Sequence, residues 1–168
     1  AAGIATTPAE EIDFSAFGPI EIQPLSRINR LAARNLHRNW ATIPHVTQFD
    51  DADITELDSF RRSLVKEYEA KGVKITFMAF LMKAVVSALR EFPRVNSSLD
   101  AGGENLILKG YYHIGVAVDT PNGLMVPVVR DVDRKPLVDL SRELQEVSER
   151  TRTGQIKAEE MKGACFTI

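Results

Sequence analysis

Hydrophobic residues recur along this chain at spacings that separate helices from strands. After Pro24-Leu25-Ser26, the residues Ile28, Leu31, Ala32 and Leu36 fall on one side of a helical projection, with Ser26 as the expected N-cap. Ile43 to Phe49 reads as a strand. Asp53-Ile54-Thr55-Glu56 then forms a D-x-x-E capping pattern, and Ile54, Leu57, Phe60, Leu64 and Tyr68 follow at helical spacing up to Gly72. Thr76 is expected to cap a third helix, Phe77 to Phe92, ended by Pro93. It is apolar nearly all round (Met78, Phe80, Leu81, Val85, Val86, Leu89), which predicts the buried centre of the domain. Asn96–Asp100 and Asn105–Lys109 flank a hairpin-sized turn, and Tyr112–Asp119 and Leu124–Val129 flank Thr120-Pro121-Asn122-Gly123. A last helix follows Pro136, with Leu137, Leu140, Leu144 and Val147 on one face and Gly154 as its stop. Helices and hairpins mix without a regular βαβ alternation, so the expected class is α+β.

The two ends of the chain differ from its middle. Ala1–Glu11 is rich in Ala, Thr, Pro and Glu and has no period, which suggests a tether; residues 1–16 are read as a linker end and 17–168 as one domain. At the other end, Cys165-Phe166-Thr167-Ile168 is a strand-like run with no turn or polar tail after it. Domains rarely stop within a strand, so the expectation is a piece of a longer protein with an open sheet edge.

Composition narrows the class. The chain has 168 residues with 44% hydrophobic ones, enough for one core, and 21 basic against 23 acidic residues. A net charge of −2 argues against nucleic acid as a partner. The single cysteine, Cys165, excludes an internal disulfide, no Cys/His pattern has zinc spacing, and a reducing, cytoplasmic setting is expected. Val73 to Leu89 is the longest apolar stretch, but Lys74, Thr76, Lys83 and Ser87 interrupt it, so no membrane span is expected.

Candidate chemistry is sparse. Arg27, Arg30, Arg34 and Arg38 share one helix face and suit contact with an anion such as a cofactor phosphate, although such a stripe is more commonly a solvated face or one paired with a neighbour's acids. His45 on its strand suits a general base or a packed strand residue, His113 reads the same way, and His37 lies on the first helix. Cys165 reads as a small core residue rather than a nucleophile. Asn96-Ser97-Ser98 matches a glycosylation sequon in a chain without a secretory signal. No complete catalytic constellation and no metal site emerge from spacing alone.

Several runs carry a family resemblance. Asn39-Trp40, Ile43-Pro44-His45-Val46-Thr47, Asp53-Ile54-Thr55-Glu56-Leu57, the run Phe92 to Leu99, the run Gly115 to Leu124 and the run Gly163 to Ile168 resemble the catalytic domain of dihydrolipoamide acyltransferases. These are core components of 2-oxoacid dehydrogenase complexes. The resemblance spans about Phe17 to Ile168, and the Arg38-Asn39-Trp40 and Ile43–Thr47 runs match the acetyl-transferring, pyruvate-complex branch better than the succinyl-transferring one.

The resemblance implies a chloramphenicol-acetyltransferase-like fold, incomplete at the C-terminus. It implies transfer of acetyl from S-acetyl-dihydrolipoamide, carried on a separate lipoyl domain, to coenzyme A. Trimers with channels between subunits, built into a larger core with the other components of the complex, are the implied assembly. Arg30 and Arg34 become candidate contacts for coenzyme A phosphate, and Leu124 and Met125 candidate wall contacts for the acyl or lipoyl arm. The family's base is a histidine in an H-R-x-x-D-G motif, which this sequence lacks, and its oxyanion-binding serine follows a Phe-Thr-Ile run, where this chain stops at Ile168. No catalytic residue is therefore assigned, and the 168 residues alone are expected to be inactive. The alternative is a non-catalytic scaffold module of the same complexes.

Overall fold

The computed structural model of the chain describes residues 11–168. They fall into two compact units, one ending at Ile43 and the other spanning Pro44–Ile168. Residues 1–10 of the expected linker lie outside the described residues.

In the first unit, the Asp13 carboxylate accepts from the Ser15 backbone N–H (3.0 Å) and hydroxyl (2.6 Å), starting a 3-10 turn at Phe14–Phe17. Helix α1 (Arg27–Thr42) begins as its sequence predicts, with the Asn29 N–H donating to Ser26 Oγ at 3.1 Å. It stops where Pro44 forces Ile43 into an extended conformation (φ −110°, ψ 118°). No residue of α1 is buried. Ile28 and Ala32 are half-buried, whereas Leu31 and Leu36 on the same stripe are exposed.

The second unit carries the core. The segment from Pro44 to Phe49 forms no strand: Val46 and Phe49 are exposed and the stretch enters no ladder among the described residues. Apolar alternation marks a residue pattern, but a strand also needs a hydrogen-bonded neighbour, and none is placed beside this one. Helix α2 (Thr55–Tyr68) is started by the Asp53 carboxylate, which accepts from the Thr55 N–H (2.9 Å) and hydroxyl (2.6 Å). The N-cap position is Ile54, so the D-x-x-E run makes an Asx turn and not a reciprocal capping box. A 3-10 turn at Glu69–Lys71 follows and ends at Gly72, whose φ of 69° only glycine adopts without strain.

Helix α3 (Phe77–Glu91) buries Ala79, Met82, Val86 and Leu89, a stripe at spacings of three and four. Thr76 occupies its N-cap position but makes no side-chain cap bond. The charged Lys83 within this apolar helix donates to the Val132 carbonyl at 2.9 Å, which satisfies its half-buried ammonium.

Strands β1 (Ser97–Leu99) and β2 (Leu106–Leu108) form the expected antiparallel hairpin. Strands β3 (Ile114–Gly115), β4 (Val128–Val129) and β5 (Phe166–Thr167) form a second sheet in the order β4-β3-β5. Ile114 pairs with Val129 on its antiparallel side and with Phe166 on its parallel side. The β3–β4 hairpin continues through a Val116 N–H to Pro127 carbonyl bond and a bridge between Val118 and Met125. Helix α4 (Leu137–Arg152) connects β4 to β5 and packs on α3. Its Ser141 and Thr151 are buried, and each hydroxyl is satisfied by a carbonyl four residues back. Met82, Ile114, Val129, Val132 and Leu140 meet between sheet and helices with no exposed area. Among the described residues, no helix is long and apolar enough to cross a membrane.

Candidate functional site

Helix α1 presents Arg27, Arg30, Arg34 and Arg38 to solvent, and no acidic residue lies within the helix. Arg30 is exposed and its guanidinium is tethered, since Nη1 donates to the Leu25 carbonyl at 3.0 Å. A row of guanidiniums without internal carboxylates keeps its fork geometry available for phosphate or carboxylate oxygens. His37 lies on the same exposed helix.

Leu124 and Met125 sit in the second unit at the tip of the β3–β4 hairpin. Leu124 is exposed and Met125 half-buried, with its backbone exchanging both bonds with Val118 (3.0 and 2.8 Å). The preceding turn is closed by the Thr120 hydroxyl, which donates to the Gly123 carbonyl at 2.6 Å. The Ile168 N–H donates to the Gly115 carbonyl (2.9 Å) and the Ala117 N–H to the Ile168 carbonyl (2.8 Å). Leu124 and Met125 are neighbours on one hairpin, and Arg30 and Arg34 on one helix face, each pair within its own unit.

A cleft of about 510 Å³ opens in the second unit between the start of α3, the face of α4 and the segment from Val116 to Asp119. Lys74, Arg152, Asp119 and Glu149 give it charges of both signs, over a floor that includes Val118 and Leu144. Leu124 and Met125 are not among the residues that line it.

Two ionic clusters went unnoticed in the sequence. On α2, the Asp58 carboxylate accepts from Arg61 Nε (2.9 Å) and Nη2 (2.7 Å) with one oxygen and from Arg62 Nε (2.7 Å) with the other. The bonds from Arg61, with further help from Arg62, hold its carboxyl below the usual aspartate range. Glu160 is likewise held low, first by the Arg150 guanidinium, which donates to both its oxygens at 2.7 Å, and then by the Lys157 N–H. The signal for the first was visible as acid and bases at i, i+3 and i+4; the second pairs residues ten apart across a turn. Burial pushes the Lys83 ammonium below its ordinary value.

The remaining candidates are structural. Cys165 is half-buried against the core, with its N–H donating to the His113 carbonyl at 2.8 Å. His113 Nδ1 accepts from the Asp131 N–H at 3.0 Å and its ring lies 4.8 Å from that of Tyr111. Asn96, the acceptor position of the sequon, is 1% exposed, and its Nδ2 donates to the Lys109 (2.8 Å) and Tyr111 (3.1 Å) carbonyls. A side chain so enclosed ties the β2 exit to the β1 entry and leaves no room for a glycan. Among the described residues, no group of three or more His, Cys, Asp or Glu is arranged to hold a metal ion.

Comparison with known proteins places these features in a wider frame. The family described as 2-oxoacid dehydrogenases acyltransferase (catalytic domain) matches residues 18–168. The acetyltransferase component of the pyruvate dehydrogenase complex from Haemophilus influenzae is 54% identical over 99% of this chain, which spans 30% of that protein's length. Among solved structures, a dihydrolipoamide acetyltransferase of Azotobacter vinelandii, studied for the catalytic roles of a serine, a histidine and an asparagine, is 48% identical. It superposes with a TM-score of 0.93 over 96% of this chain and 67% of its own. The cubic core of a pyruvate dehydrogenase multienzyme complex superposes with a TM-score of 0.92 at 48% identity, again over 96% of this chain and 67% of the other.

Proposed function

The chain belongs to the 2-oxoacid dehydrogenase acyltransferase family, and from that premise we propose that it forms the N-terminal part of a catalytic domain that moves acetyl from S-acetyl-dihydrolipoamide to coenzyme A in a pyruvate dehydrogenase complex. One observation carries this reading: the near-complete superposition on an acetyltransferase core at 48% identity. In that reaction the coenzyme A thiol loses its proton to a base, its sulfur attacks the thioester carbonyl, and dihydrolipoamide leaves as the thiol. The 168 residues contain no H-R-x-x-D-G run, so no residue of this chain is assigned as the base.

Binding and shaping are what this chain is proposed to supply. The guanidiniums of the exposed Arg30 and Arg34 suit the phosphates of coenzyme A, and their lack of acidic partners within α1 supports that role. The exposed Leu124 and half-buried Met125 suit the wall of a channel for the acyl or lipoyl arm. Residues 1–16 would be the end of a linker, and 17–168 part of the domain. The expected partners are further copies of this chain, a lipoyl domain and the other components of the complex, in the cytoplasm.

A second reading, a core scaffold without transfer activity, is supported by the superposition on the cubic core of a pyruvate dehydrogenase complex. Steady-state kinetics on the longer protein that carries this domain separate the two. Arg30→Ala and Arg34→Ala should raise the KM for coenzyme A with kcat little changed, and unchanged constants would return the stripe to an ordinary solvated face.

A further inference from the structure

The turn from Asp131 to Arg134 joins three elements through a conformation that costs free energy. Asp131 has a φ of 49° and is the one non-glycine residue with positive φ among the described residues. Besides its own Arg134 N–H to Asp131 carbonyl bond (3.0 Å), four interactions tie the turn to its surroundings. Its Val132 N–H donates to the Tyr112 carbonyl (3.0 Å), and its Val132 carbonyl accepts from Lys83 Nζ on α3 (2.9 Å). The Asp133 carboxylate accepts from Arg90 of α3 (3.0 Å), whose guanidinium also lies over the Tyr112 ring. The fourth holds the strained residue itself, where the Asp131 N–H donates to His113 Nδ1 at 3.0 Å.

That last bond fixes a chemical state. An imidazole nitrogen accepts a hydrogen bond only while it carries a lone pair, so this contact requires a ring whose proton is on Nε2. A proton added to Nδ1 would set two donors against each other. The same nitrogen already has a second acceptor at hand, because Asp131 Oδ1 lies 3.9 Å away. We propose that His113 and Asp131 form a proton-operated latch. The neutral ring holds the Asp131 N–H and the left-handed turn, and the protonated ring moves its Nδ1–H to the Asp131 carboxylate and frees that N–H.

The surroundings leave Asp131 as the counter-charge. From the turn itself, Arg130 reaches away to the Lys162 carbonyl (3.1 Å), beside Glu159, and Asp133 is engaged by Arg90. From α3, Lys83 is spent on the Val132 carbonyl. Just before β3 Tyr111 stacks against the ring and Tyr112 receives Arg90, and next to β5 the Cys165 N–H donates to the His113 carbonyl. His113 keeps 15% of its side-chain area exposed, enough for proton exchange with water. Acidification would thus loosen the tie between the entry to β3 and the turn that Lys83 and Arg90 of α3 also hold, without breaking the core.

Nuclear magnetic resonance on the chain tests this directly. The ring nitrogens of His113 and the exchange protection of the Asp131 amide, corrected for intrinsic exchange, are followed through the titration of the ring. The latch requires an unprotonated Nδ1 in the neutral ring and at least a tenfold loss of Asp131 protection on the same midpoint as the ring. In His113→Gln, whose carbonyl accepts at every pH, the protection should stay flat through that range. A protonated Nδ1 in the neutral ring would overturn the proposal, as would Asp131 protection that does not change while His113 titrates.

Discussion

Gly115 sits where β3 touches both its neighbours, and replacing its hydrogen with a methyl group should show how tightly the parallel pair is built. A Cβ there would lie 2.9 Å from Val126 Cγ1, 3.0 Å from Thr167 Oγ1 and 3.4 Å from Ala164 Cβ. The first two are closer than carbon atoms pack, and Thr167 is Gly115's partner in the parallel register. Relief requires the Val126 and Thr167 side chains to turn away, or β5 to shift against the Ile168 N–H to Gly115 and Ala117 N–H to Ile168 bonds. Overpacking of a fitted site costs about 1–3 kcal/mol, which for a chain of this length lowers Tm by roughly 2–12 °C. The backbone at Gly115 is not left-handed, so the loss is steric alone. Gly110 provides the contrast, because a Cβ there meets nothing within 4 Å. Gly110→Ala should be neutral or gain about 0.4–1 kcal/mol by restricting the unfolded chain. Urea unfolding monitored by circular dichroism compares the two, and Gly115→Ala combined with Val126→Ala should recover part of the loss. Equal stability of Gly115→Ala and the parent, or a double variant no better than the single one, would refute this packing argument.

Other outcomes follow from single contacts. Asn96→Ala removes both donors from the Lys109 and Tyr111 carbonyls in a buried site and should cost about 2–4 kcal/mol in the same unfolding assay. Glu160 is held below the ordinary glutamate value of 4.5, so its contribution is complete above that value and fades as pH falls through its depressed folded one. Glu160→Gln should therefore lower stability near neutral pH and flatten its decline below about pH 4.5, read from thermal melts across the acidic range.

Local signals were legible, and pairings across the chain were not. Ser26 caps α1 and Gly72 ends the second helix because both effects act within a few residues. The two hairpins and the α+β class followed from alternation and turn residues for the same reason. Ile43–Phe49 has the composition of a strand, but a ladder needs a neighbour that alternation does not specify. The parallel β3–β5 pair brings together Ile114 and Phe166, residues separated by a hairpin and a helix. The candidate site shows the same division. The arginine stripe of α1 is a helical repeat and is exposed as its spacing predicts. The structural role of Asn96 is not legible in its sequon match, because its two carbonyl partners lie 13 and 15 residues away. The His113–Asp131 bond spans 18 residues and depends on a backbone φ that no motif records.

The central claim is that these residues serve acetyl transfer, and the assay that meets it most directly is thiol transfer itself. The longer protein carrying this domain is mixed with S-acetyl-dihydrolipoamide and coenzyme A, and acetyl-coenzyme A is measured against time. The account predicts turnover that saturates in coenzyme A, with Arg30→Ala and Arg34→Ala shifting the half-saturating concentration upward. Transfer no faster than the uncatalysed exchange would contradict it and leave the scaffold reading in its place.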